Sequence, residues 1–169
     1  MKSIMQHQAF GARGEQNRHE RWIATDSDHV FTVLTDPEAF TRLIPPYTRV
    51  RFDTPPPYRT GTRVTTHIDH LIKLAWHSRV GRVLPGRRIE LSFLDGPFKG
   101  GTEIWELVPE ANGTRVLHTI SVAPRGFMRL IWKWKGRTRH NDLTEQFLDN
   151  LKAHLERNAG NACELRDAV

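Results

Sequence analysis

The sequence predicts a two-layer α+β domain: a curved antiparallel sheet of about seven strands wrapped around a long carboxy-terminal helix, with two short helices after the first strand. Three observations carry that expectation. Residues 47–124 run in short, alternating or apolar stretches divided by turn sequences: Pro55-Pro56-Pro57, Leu84-Pro85-Gly86, Asp95-Gly96-Pro97 and Asn112-Gly113. Two helical stretches near the amino end are bounded by Asp26-Ser27, Asp36-Pro37 and Pro45-Pro46. Near the other end, Leu143, Phe147, Leu148, Leu151 and Leu155 recur at helical spacing.

Taken in order, residues 18–25 (RHERWIAT) read as a strand in which Trp22 and Ala24 alternate against charged neighbours. Asp26 or Ser27 caps a helix over 28–35, with Val30, Phe31, Val33 and Leu34 on its apolar side. Asp36-Pro37 restarts the chain as a helix through Phe40, Leu43 and Ile44, which Pro45-Pro46 ends because proline disfavours helix before it. Strands are expected over 48–52, 61–70, 71–84 with a break near its start, 88–94, 98–108 and 114–122. A helix over 126–157 closes the domain, and Gly136 loosens or kinks it. The expected organisation is a flexible lead (1–17), one domain (18–157) and a flexible polar tail (158–169).

A chain of 169 residues with 38% hydrophobic and 26% charged residues has enough to bury for one compact domain. No run approaches the ~20 apolar residues of a membrane-spanning helix, and residues 1–21 lack the apolar stretch of a signal peptide, so a cytoplasmic protein is expected. The lone Cys163 excludes an internal disulfide and a multi-cysteine metal site. The net charge of +6 is local. Arg125, Arg129, Lys133, Lys135, Arg137 and Arg139 occupy a stretch without an acid, and without them 19 basic residues face 19 acidic ones. Phe127, Met128, Leu130, Ile131, Trp132 and Trp134 interleave with these cations. Three readings stay open: an amphipathic helix whose apolar side covers the sheet while its cations stay in water, a membrane-surface contact, and a nucleic-acid or ribosome contact.

Several signals fail on geometry. His67 and His70 are three apart on a strand and point to opposite faces, which leaves no zinc pair. His77 and Ser78 are adjacent and also diverge, against a nucleophile with its base. No phosphate-cradling glycine loop occurs, and Asn112-Gly113-Thr114 reads as a hairpin turn rather than a glycosylation site. No metal or cofactor is expected. On 114–122, Val116, His118, Ile120 and Val122 share the apolar face, so His118 points inward. On the preceding strand alternation alone leaves two faces open, Glu103, Trp105 and Leu107 against Ile104, Glu106 and Val108.

The chain resembles the START-like, polyketide cyclase-like group of the SRPBCC superfamily, which has the helix-grip fold. The resemblance rests on Ile23-Ala24, Phe31 to Asp36 (FTVLTD) leading into Pro37, Leu43-Ile44-Pro45-Pro46 and Arg49-Val50-Arg51-Phe52. It continues through Gly61-Thr62, Trp76, Pro85, Asp95-Gly96-Pro97-Phe98, Gly113-Thr114 and Pro124, and so covers residues 18–157. It implies a cavity for a small, usually apolar molecule such as a lipid, polyketide, quinone or aromatic metabolite. It does not imply one activity, since members include carriers, cyclases and dehydratases. Relatives with the Gly-Pro-Phe turn often continue with a Trp and two alternating histidines; here those two positions fall on Glu103 and Trp105, and no role of the histidines carries over.

The resemblance favours Trp105 and Leu107 inside, which brings Glu103 in with them. A hairpin through 109–113 then sets Glu103 directly across from His118 or diagonal to it, a pairing suited to proton transfer or to a structural hydrogen bond. The further ligand-binding candidates are Thr66, Ile68, His70, Trp76, Ser78, Leu91, Phe93, Trp105, Ile120, Phe127, Ile131, Trp134, Phe147 and Leu151, with Val64, Val80, Leu130, Asn141 and Leu148 also expected to face inward. Three functions are weighed: a binder or carrier of a hydrophobic small molecule, a cyclase- or dehydratase-type enzyme using Glu103 and His118, and an interaction protein using the basic segment on a membrane or RNA. The first is preferred, with a hydrophobic small molecule as partner, peripheral membrane contact as an added reading, nucleic acid not favoured, and the oligomeric state open.

Overall fold

A computed structural model describes residues 14–69 and 73–167. Strand β1 (Glu15–Ile23) is followed by helices α1 (Ser27–Thr35) and α2 (Pro37–Leu43), and then by strands β2 (Thr48–Phe52), β3 (Arg63–Asp69), β4 (Lys73–Leu84), β5 (Arg88–Phe93), β6 (Thr102–Glu110) and β7 (Gly113–Val122). A helical segment then runs from α3 (Phe127–Ile131) through a π-helical turn (Trp132–Gly136) into α4 (Arg137–Asp167). The seven strands form one antiparallel sheet in the order β1-β7-β6-β5-β4-β3-β2. Only the β1–β7 pairing departs from a meander, and it brings the first strand beside the last.

The punctuation works as the residue types require. Asp26 Oδ1 accepts from the His29 amide and caps α1, while Asp36 caps α2 through the Ala39 amide with Pro37 in its first turn. Asn112 takes φ +66° in the β6–β7 turn. Gly96 has φ +68°, and a Cβ there would lie 2.7 Å from the Ala75 carbonyl oxygen and 2.8 Å from Trp76 Cβ. Only glycine therefore lets the 95–98 turn close against β4, and that closure seats the Phe98 ring 5.4 Å from Trp76.

Three expectations are corrected. Trp22 does not lie on the inner face of β1: it is 41% exposed, and Asn17, His19, Arg21 and Ile23 face inward instead. β1 is an edge strand, and polar pairs to α4 rather than apolar packing cover most of its inner side. Residues 98–101 are not strand, because Gly96–Phe98 forms a 3-10 turn and β6 begins only at Thr102. The closing helix runs on to Asp167, past the expected end at 157, while the loosening expected at Gly136 takes the form of a π turn that ends there, where a Cβ would lie 3.1 Å from Trp132 Cε3.

The core divides in two. A larger cluster joins Ile23, Val30, Leu34, Leu43, Trp105, Leu107 and Val116 to Phe147, Leu148, Leu151 and Leu155 of α4. A smaller one joins Phe93, Ile120, Val122 and Trp132, with Trp76 and Phe98 packed on it. Along β7 the order is Val116, His118, Ile120, and along the helix it is Phe147, Thr144, His140, Trp132. The two apolar clusters are thus separated by a polar band on both the strand and the helix.

Candidate functional site

Between sheet and helix lies a cavity of about 560 Å³, walled mainly by apolar side chains. Thr66, Ile68, Trp76, Ser78, Leu91, Phe93, Trp105, Ile120, Ile131, Trp134 and Phe147 line it, as do Glu103 and His118. His70 lies outside the described residues. Two candidates belong elsewhere. Leu151 is fully buried in the larger core cluster, one helical turn beyond the lining Phe147, and Phe127 is 75% exposed and turned to solvent. Of the other side chains expected to face inward, Val80 and Leu148 are core rather than lining, and Leu130 is 63% exposed.

Aromatic rings make the two ends of the hollow. Phe40 meets Phe147 at 5.0 Å and Phe52 at 5.7 Å, and Phe52 meets Tyr58 at 6.0 Å. At the other end Trp76, Phe93, Phe98 and Trp132 contact one another with centroids 5.3–6.3 Å apart, several of them edge to face. Tyr58 and Phe98 were not anticipated: Tyr58 sits in a loop, where strand alternation gives no orientation, and Phe98, expected at the start of a strand, sits in the 3-10 turn.

The polar groups converge at one place in this lining. In the β6–β7 register Trp105 stands opposite His118 and Glu103 opposite Ile120, so Glu103 is diagonal to His118. The Glu103 carboxylate accepts from Trp105 Nε1 at 2.9 Å and meets His118 Nε2 at 3.1 Å, both on Oε1. The Trp105 and His118 rings are 4.3 Å apart. With Nε2 given to Glu103, the buried His118 Nδ1 has no partner among the described residues. Burial, followed by the charge of Glu103, holds the Tyr58 phenol protonated by pushing its pKa well above the ordinary value.

Behind this pair lies a polar layer that the sequence reading missed on its β1 side. His19 pairs with His118 across the β1–β7 ladder, and its Nδ1 meets Glu145 Oε1 at 2.6 Å. Arg21 donates to Glu145 Oε2 at 2.6 Å, and Asn17 lies against His140 and Asn141 of α4. The rings of His19, His118 and His140 lie 5.9–6.5 Å apart. His140 also lines the cavity, and burial, reinforced by His118 and His19, pushes its pKa down to about 3. Among the described residues, no group of three His, Cys, Asp or Glu side chains is placed to hold a metal ion. The helical spacing 140, 144, 147, 151 was available as a signal for His140. For His19 the signal was masked by Trp22, whose size drew the apolar face to the wrong side of the strand.

The arrangement can enclose an apolar body of modest size while offering a carboxylate and an imidazole to it between the two aromatic ends. Solved structures share its fold at low identity. A protein of Thermus thermophilus is 18% identical with a TM-score of 0.71, covering 85% of this chain and 99% of its own. The Zhui aromatase/cyclase of Streptomyces sp. R1128 is 19% identical with a TM-score of 0.69, covering 86% and 95%. A Chromobacterium violaceum protein is 18% identical with a TM-score of 0.64, covering 84% and 98%. No curated protein sequence matches the chain. A curved seven-stranded sheet gripping a long helix is the helix-grip fold, and the family model described as "Polyketide cyclase / dehydrase and lipid transport" matches residues 23–152, so the chain belongs to that SRPBCC-type family.

Proposed function

We propose that the cavity binds a hydrophobic small molecule of the lipid, polyketide or aromatic-metabolite class that carries an oxygen-bearing group able to reach the polar band between the two aromatic ends. The observation that supports this most is the division of the lining: aromatic rings at both ends, and one cluster of hydrogen-bonding groups between them at Glu103 and His118. A carboxylate and an imidazole withdrawn from water cost free energy unless something bonds them, and a ligand hydroxyl or carbonyl is suited to their remaining capacity. The apolar remainder of the ligand gains roughly 25 cal/mol per Å² on leaving water.

Thr66 of β3 faces the open space of the cavity rather than packed core, so Thr66→Trp fills the space without deleting a contact. The wild type is expected to show a co-purified mass in native mass spectrometry, or to bind a naphthol probe, and Thr66→Trp to lose that binding by about tenfold or more at unchanged Tm. Equal binding in both proteins would remove the cavity from the account.

A second reading is favoured by the Glu103–His118 contact itself: proton transfer in a cyclisation, as named for the Streptomyces neighbour, or in a dehydration, as named in the family description. Glu103 Oε2 makes no hydrogen bond among the described residues and would take the proton of an acidic C–H or O–H, with His118 and Trp105 holding the carboxylate in place. Glu103→Gln keeps the acceptor for Trp105 but cannot cycle a proton. On this reading it lowers turnover of a poly-β-ketone substrate by about 10²-fold or more with binding changed little. Turnover untouched by Glu103→Gln and by His118→Ala would end it.

A further inference from the structure

The segment that carries the excess charge also exposes large apolar side chains. Phe127 is 75% exposed, Leu130 63% and Trp134 79%. They recur at i, i+3 and i+7, the spacing of a single helical face, and that face points away from the core. The opposite face is pinned. Trp132 is buried against Phe98 with ring centroids 5.3 Å apart, and its Nε1 donates to Glu15 Oε2 at 3.3 Å. The exposed stripe is therefore not a helix waiting to roll onto the sheet. The reading in which the apolar side of the segment covers the sheet holds for Met128, Ile131 and Trp132, while Phe127, Leu130 and Trp134 lie outside that cover.

Arg125, Arg129, Lys133, Lys135 and Arg137 are exposed around the stripe, and none is in an ion pair among the described residues. Lys135 Nζ stands 4.8 Å from the centroid of the Trp134 ring. Met128, Ile131, Trp134 and Lys135 also line the cavity, so the stripe forms part of its rim.

We propose that this segment docks the cavity rim on an anionic lipid surface, with Phe127, Leu130 and Trp134 entering the headgroup boundary and the flanking cations on lipid phosphates. The pairing of features selects the partner. Cations alone would serve nucleic-acid phosphates equally well, but those leave Phe127 and Leu130 in water, whereas a bilayer surface accepts both chemistries in one layer. The inference rests on the cavity reading only for its purpose, transfer of an apolar ligand between bilayer and hollow without passage through water.

The test is flotation of the full chain with vesicles of phosphatidylcholine alone and with about 30% phosphatidylglycerol, across about 50–500 mM salt. Expected are at least about tenfold stronger binding to the anionic vesicles, a blue shift of tryptophan emission, and about tenfold loss in Phe127→Ser/Leu130→Ser, with naphthol binding retained because neither residue lines the cavity. No preference for anionic vesicles overturns the proposal. So does binding that the serine substitutions leave unchanged, or tighter binding to single-stranded RNA that they also leave unchanged. Vesicle binding without naphthol binding supports docking while removing the cavity reading, so the two failures are distinguishable.

Discussion

At the scale of single residues, the titration of His140 follows from its surroundings. Among the described residues no carboxylate is bonded to His140: its Nδ1 faces Asn17 and its Nε2 Thr144, with His19 and His118 as ring neighbours. Burial holds it neutral, with the pKa down to about 3 against 6.5 ordinarily. Below the ordinary value the unfolded chain binds a proton that the native state refuses. Stability is therefore complete above about pH 6.5 and falls with pH down to about 3, by at most about 1.4 kcal/mol per unit from this group. Urea unfolding from about pH 7 to 5 is expected to show the decline, and His140→Gln to flatten it. An identical slope in the variant would contradict the assignment. Glu145 acts lower. Hydrogen bonding from His19 and then the charge of Arg21, against an opposing desolvation, hold its carboxylate below the usual range, so its contribution is lost only as pH falls through that depressed value. At this scale legibility was uneven. The period of two on β7 turned His118 inward, but β1 has only Ile23 as an apolar marker on its inner face, and Trp22 outweighed it.

At the scale of elements, the site depends on two connections that ordinary periodicity does not describe. The first is the 95–98 turn, where Gly96 allows Phe98 to reach Trp76 and complete one aromatic wall. In Gly96→Ala, a positive φ combined with a Cβ under 3 Å from two atoms of β4 is expected to cost about 1–3 kcal/mol and to loosen that wall. Thermal unfolding and the emission of Trp76 would report it; an unshifted Tm would mean the turn is not held as described. The second connection is the π turn, around which Trp132 is buried while Phe127, Leu130 and Trp134 look outward. A 3.6-residue repeat carried back from Leu143, Phe147 and Leu151 through Gly136 already sets Phe127 and Trp134 towards the outer side and leaves Leu130 at the edge of the inner one. Trp134 keeps contact with the cavity only at its rim. Strand order and caps, by contrast, follow from Asp26, Asp36-Pro37 and the glycine and proline turns, which act through local sterics and one hydrogen bond each.

For the whole molecule, the fold was legible because its demands are redundant: alternating strands, turn chemistry and one amphipathic helix all specify a sheet with a single face to cover. The division of that covered face into two apolar clusters with a polar band between them was only half legible, since β7 and α4 display it in their spacing and β1 does not. The net charge of +6 belongs to one edge of this architecture, beside the cavity rim, rather than to the surface as a whole. The central claim is that an apolar ligand occupies the hollow with its polar group at Glu103 and His118. The five tryptophans allow it to be tested in one spectrum, because their indole N–H resonances report the cavity wall (Trp76, Trp105 and Trp132), its rim (Trp134) and the outer face of the sheet (Trp22) separately. Titration of ¹⁵N-labelled protein with a naphthol is expected to shift Trp105, whose N–H donates to Glu103, together with Trp76, and to leave Trp22 in place. Shifts confined to Trp134 and Trp22, or none up to about 1 mM, a concentration equivalent to roughly −4 kcal/mol of binding, would contradict it.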